Sequence, residues 1–216
     1  MPAARESLLR AAEAALSAQP WPAVRMTEVA AVAGVSRQTL YNEFGGKAGL
    51  GRALVRRAAD RYLDGVDRAL RPEAPIPGTA RGSACAAERL AAVAEWTVRE
   101  ARAQPLVRAL LTGCWDGALP SPPTMGLRPG QAAPGPAELV RAVSERAATA
   151  LAPEPAQRCE LVVRLALSYV LAPGADDAGP GRLLRLTGAG PAGAAVGGAA
   201  VGGAALSGPN RTAGVR

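Results

Sequence analysis

The 216-residue chain has no histidine, one lysine, only three cysteines and an aromatic content of 3%. Without an imidazole, Ser-His-Asp and Cys-His catalysis are excluded, and the most frequent general base is missing. Cys85, Cys114 and Cys159 are widely spaced with no CxxC pair, which argues against a zinc site and against a disulfide framework. We therefore expect no metal, no cofactor and no enzymatic activity.

Long apolar runs are also missing. No uninterrupted apolar stretch reaches 18 residues, and the start MPAARESLLR lacks the basic-then-apolar order of a secretory signal. We therefore expect a cytoplasmic protein with no membrane span.

Alternating apolar segments typical of strands are hard to find, whereas Ala, Leu, Arg and Glu dominate between proline and glycine breaks. This pattern predicts an all-α protein.

The charge balance is basic, with 25 Lys and Arg against 18 Asp and Glu, or +7. Residues 1–71 hold 11 basic and 7 acidic side chains, so +4 of the excess lies in a third of the chain. A concentrated positive charge attracts polyanions. It favours nucleic acid as the partner of the N-terminal region.

Glycine, proline and capping residues divide the N-terminal region into four helices. The first should run from about Ala3 to Ala18, and the second should start near Thr27, whose hydroxyl is a candidate cap. Ser36 should cap a third helix that ends near Phe44. A long fourth helix is predicted for residues 47–70.

The segment beyond residue 71 predicts a second, more apolar helical domain. Its helices are expected at about Ala84–Ala103, Pro105–Thr112, Pro136–Leu151 and Pro155–Leu171. The six prolines in residues 120–136 predict a surface loop, and the Gly/Ala-rich repeat near the C-terminus predicts disorder. We thus expect a DNA-binding domain at 1–70, a ligand-binding and dimerisation domain at 71–188, and a disordered tail at 189–216.

Residues 26–50 have the layout of a helix-turn-helix. Polar side chains near the start of a recognition helix read base edges, while neighbouring groups hold phosphates. Arg37 is suited to guanine, Gln38 to adenine, and the methyl group of Thr39 to thymine. Leu40 and Phe44 are better interpreted as core. The full set of predicted DNA-contact residues is Thr27, Ser36, Arg37, Gln38, Thr39, Tyr41 and Lys47, with Arg5 as a weaker candidate.

The string T-E-V-A-x-x-A-G-V-S-x-x-T-L-Y-x-x-F-x-x-K-x-x-L, from Thr27 to Leu50, resembles the signature of the tetracycline-repressor (TetR) family. The resemblance covers roughly residues 3–70. Two departures occur: Asn42-Glu43 stands where the family often has a histidine before the phenylalanine, and GGKAGL replaces the more usual acidic residues after the lysine. Neither removes a helix-forming or capping element.

This resemblance implies a homodimeric repressor whose C-terminal helices bind a small apolar or amphipathic effector. Binding would move the two reading heads out of register and release the operator. Residues 95–113 and 158–174 also look like the C-terminal domains of some actinobacterial TetR regulators associated with alkane or fatty-acid metabolism. Proteins of this family normally end in a further dimerisation helix. In this chain only residues 181–186 could contribute to such a helix.

Apolar residues of the second domain are candidates for the effector cavity, because such pockets are mostly apolar with a few polar groups. An ordinary helical core is the competing interpretation of the same stripe. Arg164 within an apolar helix must pair with an acid, bind an anionic ligand or lie exposed. The predicted ligand-binding residues are Trp96, Leu110, Trp115, Leu161, Leu165 and Tyr169.

Two other functions are compatible with the sequence. One is a redox-sensing DNA-binding regulator in which Cys114 or Cys159 controls DNA affinity. The other is a helical enzyme that uses the basic N-terminal region as a platform. The missing histidine and the lack of a clustered carboxylate pair argue against an enzyme.

Overall fold

The computed structural model describes residues 2–71, 83–120, 134–153, 156–172, 179–182 and 184. These residues contain only helices, turns and loops, which confirms the predicted all-α class. The α-helices are α1 (Pro2–Ala18), α2 (Met26–Val32), α3 (Arg37–Phe44), α4 (Lys47–Leu70), α5 (Ser83–Ala103), α6 (Pro105–Thr112), α7 (Pro136–Ala150) and α8 (Ala156–Leu171), with a 3-10 turn at Trp21–Ala23.

The first three helices pack together and against the start of α4, and form a compact head (residues 2–54). Apolar residues three or four apart put one stripe of α1 inward, where Leu8 and Ala12 are completely buried. Val29 of α2, Leu40 of α3 and Leu50 of α4 meet them in the same core. Because α1, α2 and α4 all pack on α3, its orientation in the head is fixed.

Helix α4 extends from the head into the rest of the molecule, which we call the body (residues 55–184). Its buried side continues from Leu54 through Ala59 and Tyr62 to Val66, and packs on α5. One hydrophobic core runs through both parts. The predicted domain boundary near residue 71 follows α4, but it does not interrupt this core.

In the body, α5 packs on α4 and α8, and α7 packs on α8. Helix α8 carries apolar residues on more than one side. Its inner residues Cys159, Val162 and Ala166 are buried, whereas Leu161 is 64% exposed. Within a single chain, therefore, α8 is covered on one side only.

The structure corrects one predicted detail of the head. Helix α2 begins at Met26 with Arg25 as the N-terminal flanking residue, and no side chain caps it. Thr27 therefore lies inside the first turn, exposed, and the prediction that it caps the helix is wrong. The expected tail at 189–216 and most of the expected loop at 120–136 lie outside the described residues.

Among the residues that the structure describes, no helix is both long enough and apolar enough to cross a membrane.

Candidate nucleic-acid interface

The recognition helix α3 is fixed at both ends. Its first turn is capped by Ser36, whose Oγ accepts a hydrogen bond from the Thr39 backbone N–H at 3.0 Å. The Ser36 and Thr39 hydroxyls are also hydrogen-bonded, at 2.8 Å. At the other end Gly45 has φ 71°, a left-handed conformation that glycine adopts without strain. Ser36 thus caps the helix as predicted.

The outer face of α3 is polar and accessible. Arg37 and Gln38 are exposed at its first two positions, and Tyr41 one turn later is 42% exposed. Gln38 Nε2 donates to Asn42 Oδ1 at 2.8 Å. The inner face holds Leu40, which is completely buried. The helix therefore presents its polar side chains outward from a rigid base, as base reading in a groove requires.

Arg5 of α1 is engaged with the end of α3. Its guanidinium lies 4.6 Å from the centre of the Phe44 ring and 3.6 Å from Glu43 Oε2, and it donates to the Glu43 carbonyl oxygen at 3.4 Å. These contacts clamp the C-terminal end of α3 to α1. Arg5 therefore has a positioning role that sequence reasoning did not identify, although its side chain is still partly exposed.

Lys47 begins α4, and its ammonium group is already engaged within the head. Nζ donates to the carbonyl oxygen of Pro22 at 2.8 Å and lies 5.5 Å from the centre of a Trp21 ring. An ammonium group has three donors, so at least one N–H remains for a phosphate. Lys47 thus joins the corner after α1 to the start of α4. It also keeps a donor for the DNA contact that the sequence predicts for it.

An ionic network ties α1 to α4 behind the recognition helix. Arg57 donates to both carboxylate oxygens of Glu6, at 2.5 and 2.7 Å, and Arg61 pairs with Glu13 at 3.0 Å. The hydrogen bonds from Arg57 lower the pKa of Glu6, and those to Glu6 raise the pKa of Arg57. The charged state of both partners is therefore favoured in the folded head.

This arrangement has a counterpart among known proteins. Residues 8–54 match the family model described as bacterial regulatory proteins, tetR family. The N-terminal domain belongs to the tetR family. It has the helix-turn-helix arrangement of a DNA-binding domain.

A stretch of 66 residues of this chain is 44% identical to the HTH-type transcriptional regulator AlkX of Mycobacterium tuberculosis. That alignment spans 31% of this chain and 31% of the relative, so about two thirds of each protein is unmatched.

The likeness of fold to one solved structure extends beyond the head. A tetR-family transcriptional regulator from Streptomyces coelicolor aligns over 87% of this chain and 78% of its own, with 21% identity and a TM-score of 0.51. The repressor AlkX from Dietzia sp., implicated in biodegradation of n-alkanes, aligns over 84% and 92%, with 21% identity and a TM-score of 0.44.

The predicted ligand-binding residues of the body differ in burial. Leu110 is buried in the core, and Trp115, Leu165 and Tyr169 are half-buried. Leu161 on α8 is 64% exposed. Arg164 is exposed and pairs with Glu160 at 2.7 Å.

Trp96 of α5 packs against α4. Its indole packs on Gly65 of α4, and its Nε1 donates to the Tyr62 carbonyl oxygen at 3.1 Å. It also borders a polar surface cleft of about 500 Å³ between α4 and α5. Trp96 therefore joins these two helices.

A second cleft, of about 700 Å³, lies between the tetR-family domain and the body. Leu16 of α1, Ala58 of α4, and Leu106 and Val107 of α6 provide its apolar lining. Charged side chains lie among the other lining residues, namely Arg10, Glu13, Arg61, Glu100 and Asp116. Its mixed lining suits an amphipathic molecule of ordinary ligand size.

Beside this cleft, the head and the body are joined directly. The backbone N–H of Trp21 donates to the carbonyl oxygen of Ala118 at 2.8 Å. A Cβ added at Gly51 of α4 would come within 2.9 Å of the Pro120 Cβ atom, so the loop after α6 packs closely on the head.

The structure describes the side chains of two cysteines. Cys159 is buried in the core and Cys114 is exposed. No group of three potential metal ligands occurs in the described part of the chain.

Proposed function

We propose that this protein is a sequence-specific transcriptional repressor that inserts α3 into the major groove of an operator. The observation that carries the proposal is the capped helix with Arg37, Gln38 and Tyr41 exposed along a face opposite to the buried Leu40. Bases are read from such a face, while the basic surroundings hold phosphates. Membership of the tetR family supports the same function.

The proposed active form is a homodimer on a palindromic operator. The exposed side of α8 carries Leu161 and Leu171, which are 64% and 62% exposed, with the half-buried Leu165 between them. These leucines are the apolar part of an exposed face that also holds Arg164 and Ser168, and such a face can pair with its symmetry copy in a four-helix bundle. Pairing would set two recognition helices about 34 to 36 Å apart, one turn of DNA.

The proposed effector is a small apolar or amphipathic molecule that enters the cleft between head and body. Because α1 lines one side and α6 the other, a ligand that fills the cleft would favour one orientation of the head over another. A few ångströms of head displacement is enough to prevent two recognition helices from docking together. Alkyl compounds are the first class to test, given the resemblance of residues 95–113 and 158–174 noted above.

DNA binding is tested by a mobility-shift titration of purified protein on the DNA upstream of its own gene. Tyr41→Ala and Arg37→Ala should each weaken binding by about tenfold or more, since each removes a groove or phosphate contact. Arg141→Ala removes an equal charge from exposed α7 and should leave binding unchanged. Wild-type affinity should fall steeply as salt rises. Unaltered binding by both α3 variants would reject the docking geometry.

The effector is tested by adding saturated fatty acids or n-alkanes of graded chain length to the protein–DNA complex. Release by one chain length, lost in Ser17→Trp without loss of DNA binding, would support the cleft, because exposed Ser17 lines it. Release that persists in Ser17→Trp would reject this site. Peroxide-induced release that disappears when all three cysteines are replaced would instead support the redox alternative.

A further inference from the structure

Gln38 and Asn42 form a side-chain pair on the outer face of the recognition helix. They are four residues apart, one helical turn, and both are exposed. The Gln38 amide donates from Nε2 to Asn42 Oδ1 at 2.8 Å. Asn42 falls where the chain departs from the usual family pattern, and it was not among the predicted DNA-contact residues.

The bond determines which hydrogen-bonding groups of Gln38 remain for DNA. A primary amide has two N–H donors and one carbonyl acceptor. With one N–H given to Asn42, Gln38 keeps a single N–H and its carbonyl oxygen. Adenine presents one acceptor, N7, and one donor, N6–H, in the major groove. The remaining groups of Gln38 match that edge one for one.

The same bond also orders a side chain that is otherwise flexible. An unrestrained glutamine loses much rotamer freedom when it binds a base, and this loss weakens binding. Asn42 restrains the Gln38 amide before DNA arrives, and the Ser36 cap fixes the first turn beneath it. Asn42 itself retains both of its N–H donors for an adjacent acceptor.

We propose that Gln38 and Asn42 act as one composite reader of adenine, in which Gln38 contacts the base and Asn42 is a positioning residue. This inference rests on the proposed DNA-binding function, and it adds a base preference and a residue that controls it. It requires that Asn42 affects discrimination at one base pair rather than affinity for DNA as a whole.

The experiment is selection of bound duplexes from a library with two randomised half-sites, followed by sequencing and affinity measurement for each variant. Wild type should prefer adenine at one position of each half-site, by about tenfold for a bidentate contact. Gln38→Ala should abolish that preference. Asn42→Ala should lower it to about threefold or less and leave the other positions unchanged, because one fewer restraint holds the Gln38 amide.

The double variant Gln38→Ala/Asn42→Ala should show the same base preferences as Gln38→Ala alone at that position, since Asn42 acts through Gln38. Asn42→Asp keeps an acceptor for Gln38, so it should retain the adenine preference while binding all duplexes more weakly. Lys47→Ala is the matched control, and it should weaken binding to all sequences alike. Alanine is favourable in helices, so Asn42→Ala should fold.

Two failures can be told apart. If no duplex is enriched by the wild-type protein, the proposed DNA-binding function fails. If duplexes are enriched but Asn42→Ala keeps every base preference of wild type, DNA binding stands and the composite reader is rejected.

Discussion

The indole of Trp96 on α5 lies over Gly65 of α4, in the space that a side chain at residue 65 would occupy. The ring is held there by the Nε1 bond to the Tyr62 carbonyl oxygen and by guanidinium groups of Arg68 and Arg99, 5.4 and 5.3 Å from the ring centre. The ring therefore has little freedom to yield. Absence of a side chain at residue 65 is what lets α4 and α5 approach closely.

Gly65→Ala should consequently destabilise the fold, by about 1 to 3 kcal/mol, as overpacking does. Urea unfolding followed by circular dichroism measures the change. Gly117→Ala is the control, because nothing lies within 4 Å of a Cβ added there. Equal stability of the two variants would show that the indole can move aside.

The buried hydrogen bond between Tyr62 and Thr97 predicts that removing its acceptor costs more stability than removing its donor. The Thr97 hydroxyl donates its one proton to the Val93 carbonyl oxygen at 2.8 Å, so it must accept from the Tyr62 hydroxyl at 3.0 Å. Thr97→Val strands a buried donor and should cost about 1 to 3 kcal/mol, whereas Tyr62→Phe strands no donor and should cost about 0.5 to 1.5 kcal/mol. Chemical denaturation of both variants checks the order, and the reverse order would contradict this donor assignment.

Burial also raises the pKa of Tyr62 to about 12. Because the folded state holds this proton more tightly than the unfolded state, the stability contribution is complete below the ordinary value of 10.0 and is lost as pH rises toward 12. Ultraviolet titration should show one of the three tyrosines ionising late. Its absence in Tyr62→Phe would identify the group.

The pair between Glu6 and Arg57 predicts a loss of stability in acid. The lowered pKa of Glu6 means that its contribution is complete above the ordinary value of 4.5 and is lost as pH falls through the lowered value. Glu6→Gln should lower the melting temperature at pH 7, and its difference from wild type should shrink as pH falls below 4.5. Glu28→Gln, which removes an exposed carboxylate 3.9 Å from Arg25, should change little over the same pH range.

Arg5 offers a test between positioning and phosphate binding. Arg5→Met removes its contacts with Glu43 and Phe44, and should lower DNA affinity by about fivefold or less with an unchanged salt dependence. A direct phosphate contact would instead reduce the slope of log affinity against log salt by about 1. Mobility shifts at four salt concentrations distinguish the two roles.

The exposed side of α8 predicts the oligomeric state. Replacing both Leu161 and Leu171 with arginine should convert a dimer to a monomer in sedimentation equilibrium and reduce binding to a two-half-site operator, because charge would enter an apolar interface. Replacing the exposed residues Ser17 and Ala18 of α1 with arginine should leave the protein a dimer in the same measurement. A monomeric wild type would contradict the proposed pairing.

Local signals in the sequence were enough to predict the helices. Pro105 and Gly113 delimit α6 as predicted, and Ser36 and Gly45 delimit α3, because capping and helix termination depend on neighbouring residues. The start of α2 differs by two residues, because Arg25 rather than Thr27 occupies the N-cap position.

Contacts between distant segments could not be predicted in this way. Helical periodicity shows that Trp96 belongs to an apolar region, but not that its partner is Gly65, 31 positions earlier. Leu161 and the buried Val162 are adjacent in the sequence, yet only the packing of α5 and α7 decides which of them is covered. Likewise, nothing near Arg5 in the sequence indicates its contacts with Glu43 and Phe44.

The bond from the Trp21 N–H to the Ala118 carbonyl oxygen gives the head a second attachment besides α4. Moving the head away from the loop at 113–120 would therefore break this bond as well as bend α4. A displacement of that loop would in turn act on the head through Trp21 without passing along α4.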